Sequence, residues 1–338
     1  MKIQIPDQLK ADVPQTTWGK IFTATPVVMA VVATMLAGLA SSEMTRAQYA
    51  RSLGAQQQSK AGDQWGFFQA KRLRGALQRN TLDLLQNAAD LHPLDPVALK
   101  NFVAQQNQAE AANWKTEMLT LLDSTAGQQA LAALQKGEVP GAGAGPAWDP
   151  KVKAATEAIA AAEAETQITE LSSPVDNQAI EVALRAAKDQ AQAFETANQP
   201  TTRAIEQLEN LLARGTALLQ QSRAVPASDA IASKAGWTLL RDFTAARVRY
   251  TALRYESEAR LNQSIAYLYE LQVRKSNLSA ERHHRRSQRF FFGMLAAQTG
   301  VIISTFAMAA RKRNLLWSLA AAAGLLAIAF AIYVYLYV

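Results

Sequence analysis

Phe290–Ala310 reads FFFGMLAAQTGVIISTFAMAA and Leu315–Val338 reads LLWSLAAAAGLLAIAFAIYVYLYV, with only Arg311–Asn314 between them. Neither run contains Asp, Glu, Lys, Arg or His. A helix needs about 20 apolar residues to cross a hydrocarbon core of about 30 Å, so the pair reads as a tight transmembrane hairpin. Ile21–Ala40 (IFTATPVVMAVVATMLAGLA) passes the same test, with Pro26 near its start, where a missing N–H costs little. Lysines before this run and small residues around Ala37–Ala40 also suit a cleaved signal peptide; retention of the segment is the expectation. The fold class expected is therefore an all-α integral membrane protein with three transmembrane helices and a long helical-hairpin, coiled-coil-like body outside the membrane.

Composition narrows the partners. The 338 residues include no cysteine, which removes disulfides and thiolate metal sites, and Lys and Arg exceed Asp and Glu by 7. The excess is localised. Residues 1–20 carry a net +1, Arg311, Lys312 and Arg313 carry +3, and Glu281 with Arg282, Arg285, Arg286 and Arg289 carries +3. The rest of the chain is neutral, and a nucleic-acid-binding module would spread its charge over a folded face. The partners expected are the lipid bilayer and either further copies of the chain or another membrane complex, with no nucleic acid.

Three spans put the N-terminus and the 311–314 loop on one side, and the body and C-terminus on the other. Trp18 and Trp317 would mark the first interface; Phe290–Phe292, Tyr333, Tyr335 and Tyr337 the second. Basic residues in short loops favour a cytoplasmic N-terminus. In a bacterial inner membrane, the body and C-terminus would be periplasmic.

The body reads as helix throughout. The domain scheme is a short N-terminal segment (1–20), a span (21–40), a stalk (41–90), a bundle (91–227), a return stalk (228–289) and spans at 290–310 and 315–338. Ala, Gln, Leu, Arg and Glu dominate the first stalk until Pro93 and Pro96 stop it. Asp95-Pro96 caps a helix expected to run to about Leu122, and Thr125–Lys136 suits a shorter one. Val139–Pro150 is the one glycine–proline cluster and reads as a loop. Helical patterns resume at Lys151–Leu171, Asn177–Ala197 and Thr201–Ala224, with Ser173-Pro174 and Pro200 as expected breaks. Ser228–Asp229 caps a last run that enters the second span without a turn signal. Leu261, Ile265, Leu268 and Leu271 suit a helix-packing seam.

One constellation stands out in the first stalk. Asp63-Gln64-Trp65-Gly66-Phe67-Phe68-Gln69-Ala70-Lys71-Arg72 sets three aromatic residues within four positions of an otherwise polar helix. Trp65 lies as far beyond Ala40 as Ile265 lies before Phe290. Two helices leaving a membrane side by side would bring Trp65, Phe67 and Phe68 level with Ile265, Tyr267, Leu268 and Tyr269. The expectation is an aromatic clasp between the stalks; a ligand or partner site using Asp63, Trp65 and Lys71 is the alternative.

With this motif the chain resembles the bacterial membrane-protein family catalogued as domain of unknown function 4337. The shared order is a span, an Asp-Gln-Trp-x-(Phe/Tyr)-(Phe/Tyr)-Gln-Ala-Lys helix, a helical middle, a basic His-containing junction and a two-span hairpin with an Arg/Lys loop. Asp63–Lys71, Arg282–Arg289, Arg311–Arg313 and Trp317 carry it, over about 20–90 and 250–338. The resemblance implies a bacterial membrane protein and brings no activity, substrate or catalytic residue.

Reaction chemistry has few candidates. His283 and His284 are adjacent and point about 100° apart on a helix, unlike the i, i+4 pair that grips a metal. His92 is the only other imidazole, and no phosphate loop, nucleophile elbow or zincin motif occurs. Gly141, Gly143 and Gly145 follow no strand and read as a surface connection. Catalytic, cofactor and metal sites are all expected to be absent. Gln298, Thr299, Ser304 and Thr305 are the polar group of the second span. Small residues at Ala30, Thr34 and Gly38, at Gly293 and Ala297, and at Ala320 and Gly324 recur every four positions, a spacing that permits close helix packing. Arg282, Arg285, Arg286 and Arg289 can meet lipid phosphates or mark the span boundary. The function expected is a non-enzymatic structural or scaffold protein forming a homo-oligomer or large assembly, with an accessory subunit of a respiratory or transport complex as the alternative.

Overall fold

The computed structural model describes residues 17–106, 112–141, 143, 145–221, 228–309 and 313–337. Every regular element among them is helical: α1 (Thr17–Ala88), α2 (Pro96–Gln105), α3 (Ala112–Asp123), α4 (Thr125–Lys136), α5 (Pro150–Ala160), α6 (Glu165–Ser172), α7 (Asn177–Gln221), α8 (Ser228–Ala309) and α9 (Arg313–Tyr337). The chain divides into two compact units. One takes residues up to Gln56 together with those from Val273, and the other takes Gln57–Gln272.

The first unit packs parts of α1, α8 and α9 around Met29, Ala33, Leu36, Ala40, Phe290, Ala297, Ala327 and Val334. Three stretches of the chain are long and apolar enough to cross a membrane, in α1, α8 and α9. Their outward residues are apolar too: Val27, Val31, Met35, Phe292, Phe306, Leu325 and Leu336 are all exposed. Pro26 lies inside α1.

In the second unit, α2, α3 and α4 enclose Leu99, Phe102, Trp114, Met118 and Leu131 with Leu208, Phe243 and Tyr250 of α7 and α8. A Cβ at Gly215 would overlap the Trp114 ring, so the absence of a side chain there lets α7 approach α3 closely. A second core joins Val152, Ile159, Ile168, Ile180 and Leu184 to Ile265, Leu268 and Leu271 of α8, and reaches Ala61 of α1.

Caps set the short helices. Asp95 accepts from the Val97 N–H and Ser124 from the Gly127 N–H, while Asp149 accepts from Lys151 ahead of a first-turn proline. Gly137 ends α4 in the left-handed region at φ 66°.

Three boundaries differ from the sequence expectation. The helix expected from Pro96 to Leu122 is two helices, because Gln106 turns to extended backbone at ψ 113° and ends α2. The helix expected over Lys151–Leu171 breaks at Ala161–Ala164, where Ala162 is left-handed at φ 52°. There Ala162 N–H donates to Ile159 O and Glu163 N–H to Ala158 O, the two bonds of a Schellman cap built on alanine in place of glycine. Conversely, α7 continues through Pro200. Two residues earlier the buried Asn198 donates to both Phe194 O and Pro140 O and accepts from the Tyr250 hydroxyl, holding the helix where the proline removes a backbone donor.

Candidate functional site

Helix α1 carries two seven-residue patterns, on faces about 100° apart around its axis. In the second unit the inner face runs Gln57, Ala61, Gln64, Phe68, Lys71, Gly75, Gln78, Leu82 and Leu85, each buried or half-buried. The first unit continues the same spacing with Glu43, Ala47, Ala50 and Gly54. On α8 small residues repeat every seventh position at Ala245, Ala252, Ala259, Ala266, Ala280 and Ser287, all buried. Such spacing keeps one narrow face of each helix on its neighbour, and small side chains let the backbones come close. A Cβ at Gly75 would lie 3.5 Å from Tyr255 Cβ, and one at Gly54 would lie 3.2 Å from Asn277 Oδ1.

Between these faces of the second unit sits the aromatic motif. Trp65 meets Tyr267 edge-on at 5.2 Å and Phe68 at 5.3 Å, and its indole N–H donates to Glu270 Oε1 at 2.6 Å. Lys71 pairs with Glu258 and lies over the Tyr255 ring, while Arg79 pairs with Glu256. Burial pushes the Glu256 carboxyl up, but the hydrogen bond from Arg260 and the charge and hydrogen bond of Arg79 outweigh it and leave the group below its ordinary value.

The expected clasp is brought together only in part. Phe67 is exposed, as is Asp63. Ile265 and Tyr269 turn into the core with α5, α6 and α7, where Lys188 lies over the Tyr269 ring. The reason is angular: residues two apart on a helix point about 200° apart, so neither Trp65 with Phe67 nor Tyr267 with Tyr269 can face one neighbour. Leu268 and Leu271 likewise serve the bundle core, whereas Ala252 of the alanine repeat approaches Gly75 of α1.

The outer face of α1 in the second unit runs Lys60, Asp63, Phe67, Ala70, Arg74, Leu77, Thr81, Leu84 and Ala88, every one exposed. Phe67 (55 %), Leu77 (61 %) and Leu84 (70 %) project from it, with Leu73 (72 %) beside them. The hydrophobic residues were legible in the sequence; their shared phase becomes visible once the inner face is known.

In the first unit, His283 Nδ1 lies 2.6 Å from Glu43 Oε2, Arg46 pairs with the same carboxylate, and Ser287 donates to Ala40 O. Arg285 pairs with Glu281 and holds that carboxyl below its ordinary value through this hydrogen bond. Gly293, Ala297, Ala320 and Gly324 pack among the helices, but a Cβ at Gly38 would meet open space, so that glycine serves no close approach within the chain. The closest notch was not anticipated. The Met29 thioether fills the space left by Gly300 and Gly324, and a Cβ at either would overlap it. Thr299, Ser304 and Thr305 bond carbonyls of their own helix. Trp317 Nε1 donates to Thr25 Oγ1 at 3.3 Å. Arg311 and Lys312 lie outside the described residues, as does the side chain of Arg313.

The glycine loop lines a groove of about 650 Å³ in the second unit, with Trp148, Lys153, Glu157, Gln190 and Arg260. Among the described residues no three His, Asp or Glu side chains gather as a metal site.

No curated protein and no solved structure matches the chain. A family model does. Its match takes in α1 with the Asp63–Lys71 motif and continues through α2, α3 and α4, leaving Arg282–Arg289 and Trp317 outside. The matching model is that of the family described as Domain of unknown function (DUF4337), and it covers residues 18–138.

Proposed function

We propose that the chain is a non-enzymatic, membrane-anchored structural protein of a bacterial inner membrane that assembles with copies of itself through its helical body. The observation that carries the reading is the exposed outer face of α1, from which Phe67, Leu73, Leu77 and Leu84 project. Four large apolar side chains along one helix of a polar body mark a contact surface. Anchoring rests on the three apolar stretches of the first unit, which are apolar outside as well as inside, a pattern suited to lipid rather than water. In this reading the N-terminus and the 311–314 loop are cytoplasmic, and the body is periplasmic.

Native mass measurement of the full-length chain in mild detergent tests the assembly. A defined multimer is expected, dissociated by Leu77→Glu with Leu84→Glu while helix content is retained. A monomer across detergents and concentrations overturns it.

The same face also supports a second reading. Lys60, Asp63 and Arg74 would each oppose their own copy in a parallel two-fold pairing, which is unfavourable. An offset contact between copies avoids this, and so does a foreign helix, as in an accessory subunit of a respiratory or transport complex. Stoichiometric foreign subunits in the purified complex would select the latter.

A further inference from the structure

Glu43 and Glu281 are the only carboxylate side chains of the first unit among the described residues, and both are committed: Glu43 to His283 and Arg46, Glu281 to Arg285. Arg282, Arg286 and Arg289 are left without a hydrogen bond or ion pair among the described residues, and the Arg286 Nε is buried with no acceptor. Guanidinium groups stay charged at any physiological pH, so these three remain able to pair with an added anion.

Their position says which kind. The steps from 282 to 286 to 289 are four and three residues, placing the three on one face of α8 within about 10 Å along the helix. The same stepping continues to Gly293 and Gly300, where α8 meets both α1 and α9: a Cβ at Gly293 would lie 3.4 Å from Leu36 and 3.7 Å from Phe330, and one at Gly300 would overlap Met29 and lie 3.5 Å from Ala320 O. Arg289 immediately precedes the apolar segment, whose Phe291 and Phe292 are exposed. An anion reaching this face would come from the layer just outside the hydrocarbon, where lipid phosphates lie. Guanidinium forks bind phosphate oxygens in pairs, which suits a phosphodiester better than a diffuse cation layer would.

We infer that Arg282, Arg286 and Arg289 form a binding site for the phosphate of an anionic membrane lipid, with Arg285 excluded because Glu281 neutralises it. The inference rests on the membrane reading proposed above. The full-length chain is reconstituted into phosphatidylcholine vesicles containing a minority of phosphatidylglycerol, re-extracted in mild detergent, and the phosphatidylglycerol retained per chain is quantified. Wild type retains it well above the bulk ratio. Arg286→Gln with Arg289→Gln lowers the apparent affinity about 30-fold, and Arg285→Gln leaves it unchanged. Equal retention by the double variant, or equal loss in Arg285→Gln, overturns the site. Displacement by inorganic phosphate at matched ionic strength would assign the arginines to a soluble anion and also overturn it. Alkaline extraction of the same vesicles separates the two readings: release of the chain defeats the membrane anchor, whereas a retained chain with no lipid preference defeats only this site.

Discussion

The Trp65 indole N–H donates to Glu270 Oε1 at 2.6 Å across 205 residues of sequence, while the ring stands edge-on to Tyr267. One side chain thus ties α1 to α8 by a charge-assisted hydrogen bond and by aromatic packing. Trp65→Phe keeps most of the packing and removes the donor, leaving Glu270 unpaired in a half-buried seam. A loss of about 1–2 kcal/mol is expected in thermal or denaturant unfolding followed by circular dichroism. Trp65→Phe combined with Glu270→Gln should cost less than the sum of the two single changes; strict additivity would mean that the bond contributes nothing.

In the first unit the comparable fit is steric. Met29 occupies the space that Gly300 and Gly324 leave, so Gly324→Leu should lower the melting temperature in detergent, at about 1–3 kcal/mol for overpacking. Met29→Ala in the same chain should recover part of that loss by reopening the notch. No recovery would mean that Gly324 acts through something other than Met29.

These two contacts show what one sequence can reveal. Element type was legible because apolar runs without charge and Ala/Gln-rich periodic stretches admit little but helix, and Asp95-Pro96 gave a true start, whereas the caps at Ser124 and Asp149 emerge only in the structure. Stops without glycine or proline were not: Gln106 and Ala162 end helices with residues that usually continue them. Pro200 misled in the other direction, since Asn198, Pro140 and Tyr250 supply the hold that the local sequence lacks. At the Trp65 motif, equal distance from the apolar segments set the level of the contact but not its angle. The phase needed the alanine repeat from Ala245 to Ser287, which a search for large apolar residues passes over because its members are small.

Ala162 permits a test of the alanine-built cap. Left-handed backbone costs an L-residue about 1–2 kcal/mol that glycine escapes, less about 0.5–1 kcal/mol for the freer unfolded chain. Ala162→Gly is therefore expected to stabilise the body by about 0.5–1 kcal/mol, read as a higher denaturant midpoint. Ala162→Val should lower it, since a branched side chain fits this conformation worse than alanine.

In the second unit Glu256, which receives Arg260 from its own helix and Arg79 from α1, should contribute acid sensitivity. Its carboxyl lies below the ordinary value of 4.5 in the folded chain, despite the opposing effect of burial. A group with a depressed folded value contributes stability that is fully present above the unfolded value and lost as pH falls through the folded one. Folded stability is therefore expected to be level from neutral pH down to about 4.5 as far as this group is concerned, and to decline below it. Glu256→Gln should be less stable than wild type at neutral pH and converge toward it in acid. Arg79→Met should weaken the same acid dependence without abolishing it, because Arg260 remains. A constant gap between wild type and Glu256→Gln across this range would mean that the carboxylate's charge contributes nothing to the α1–α8 contact.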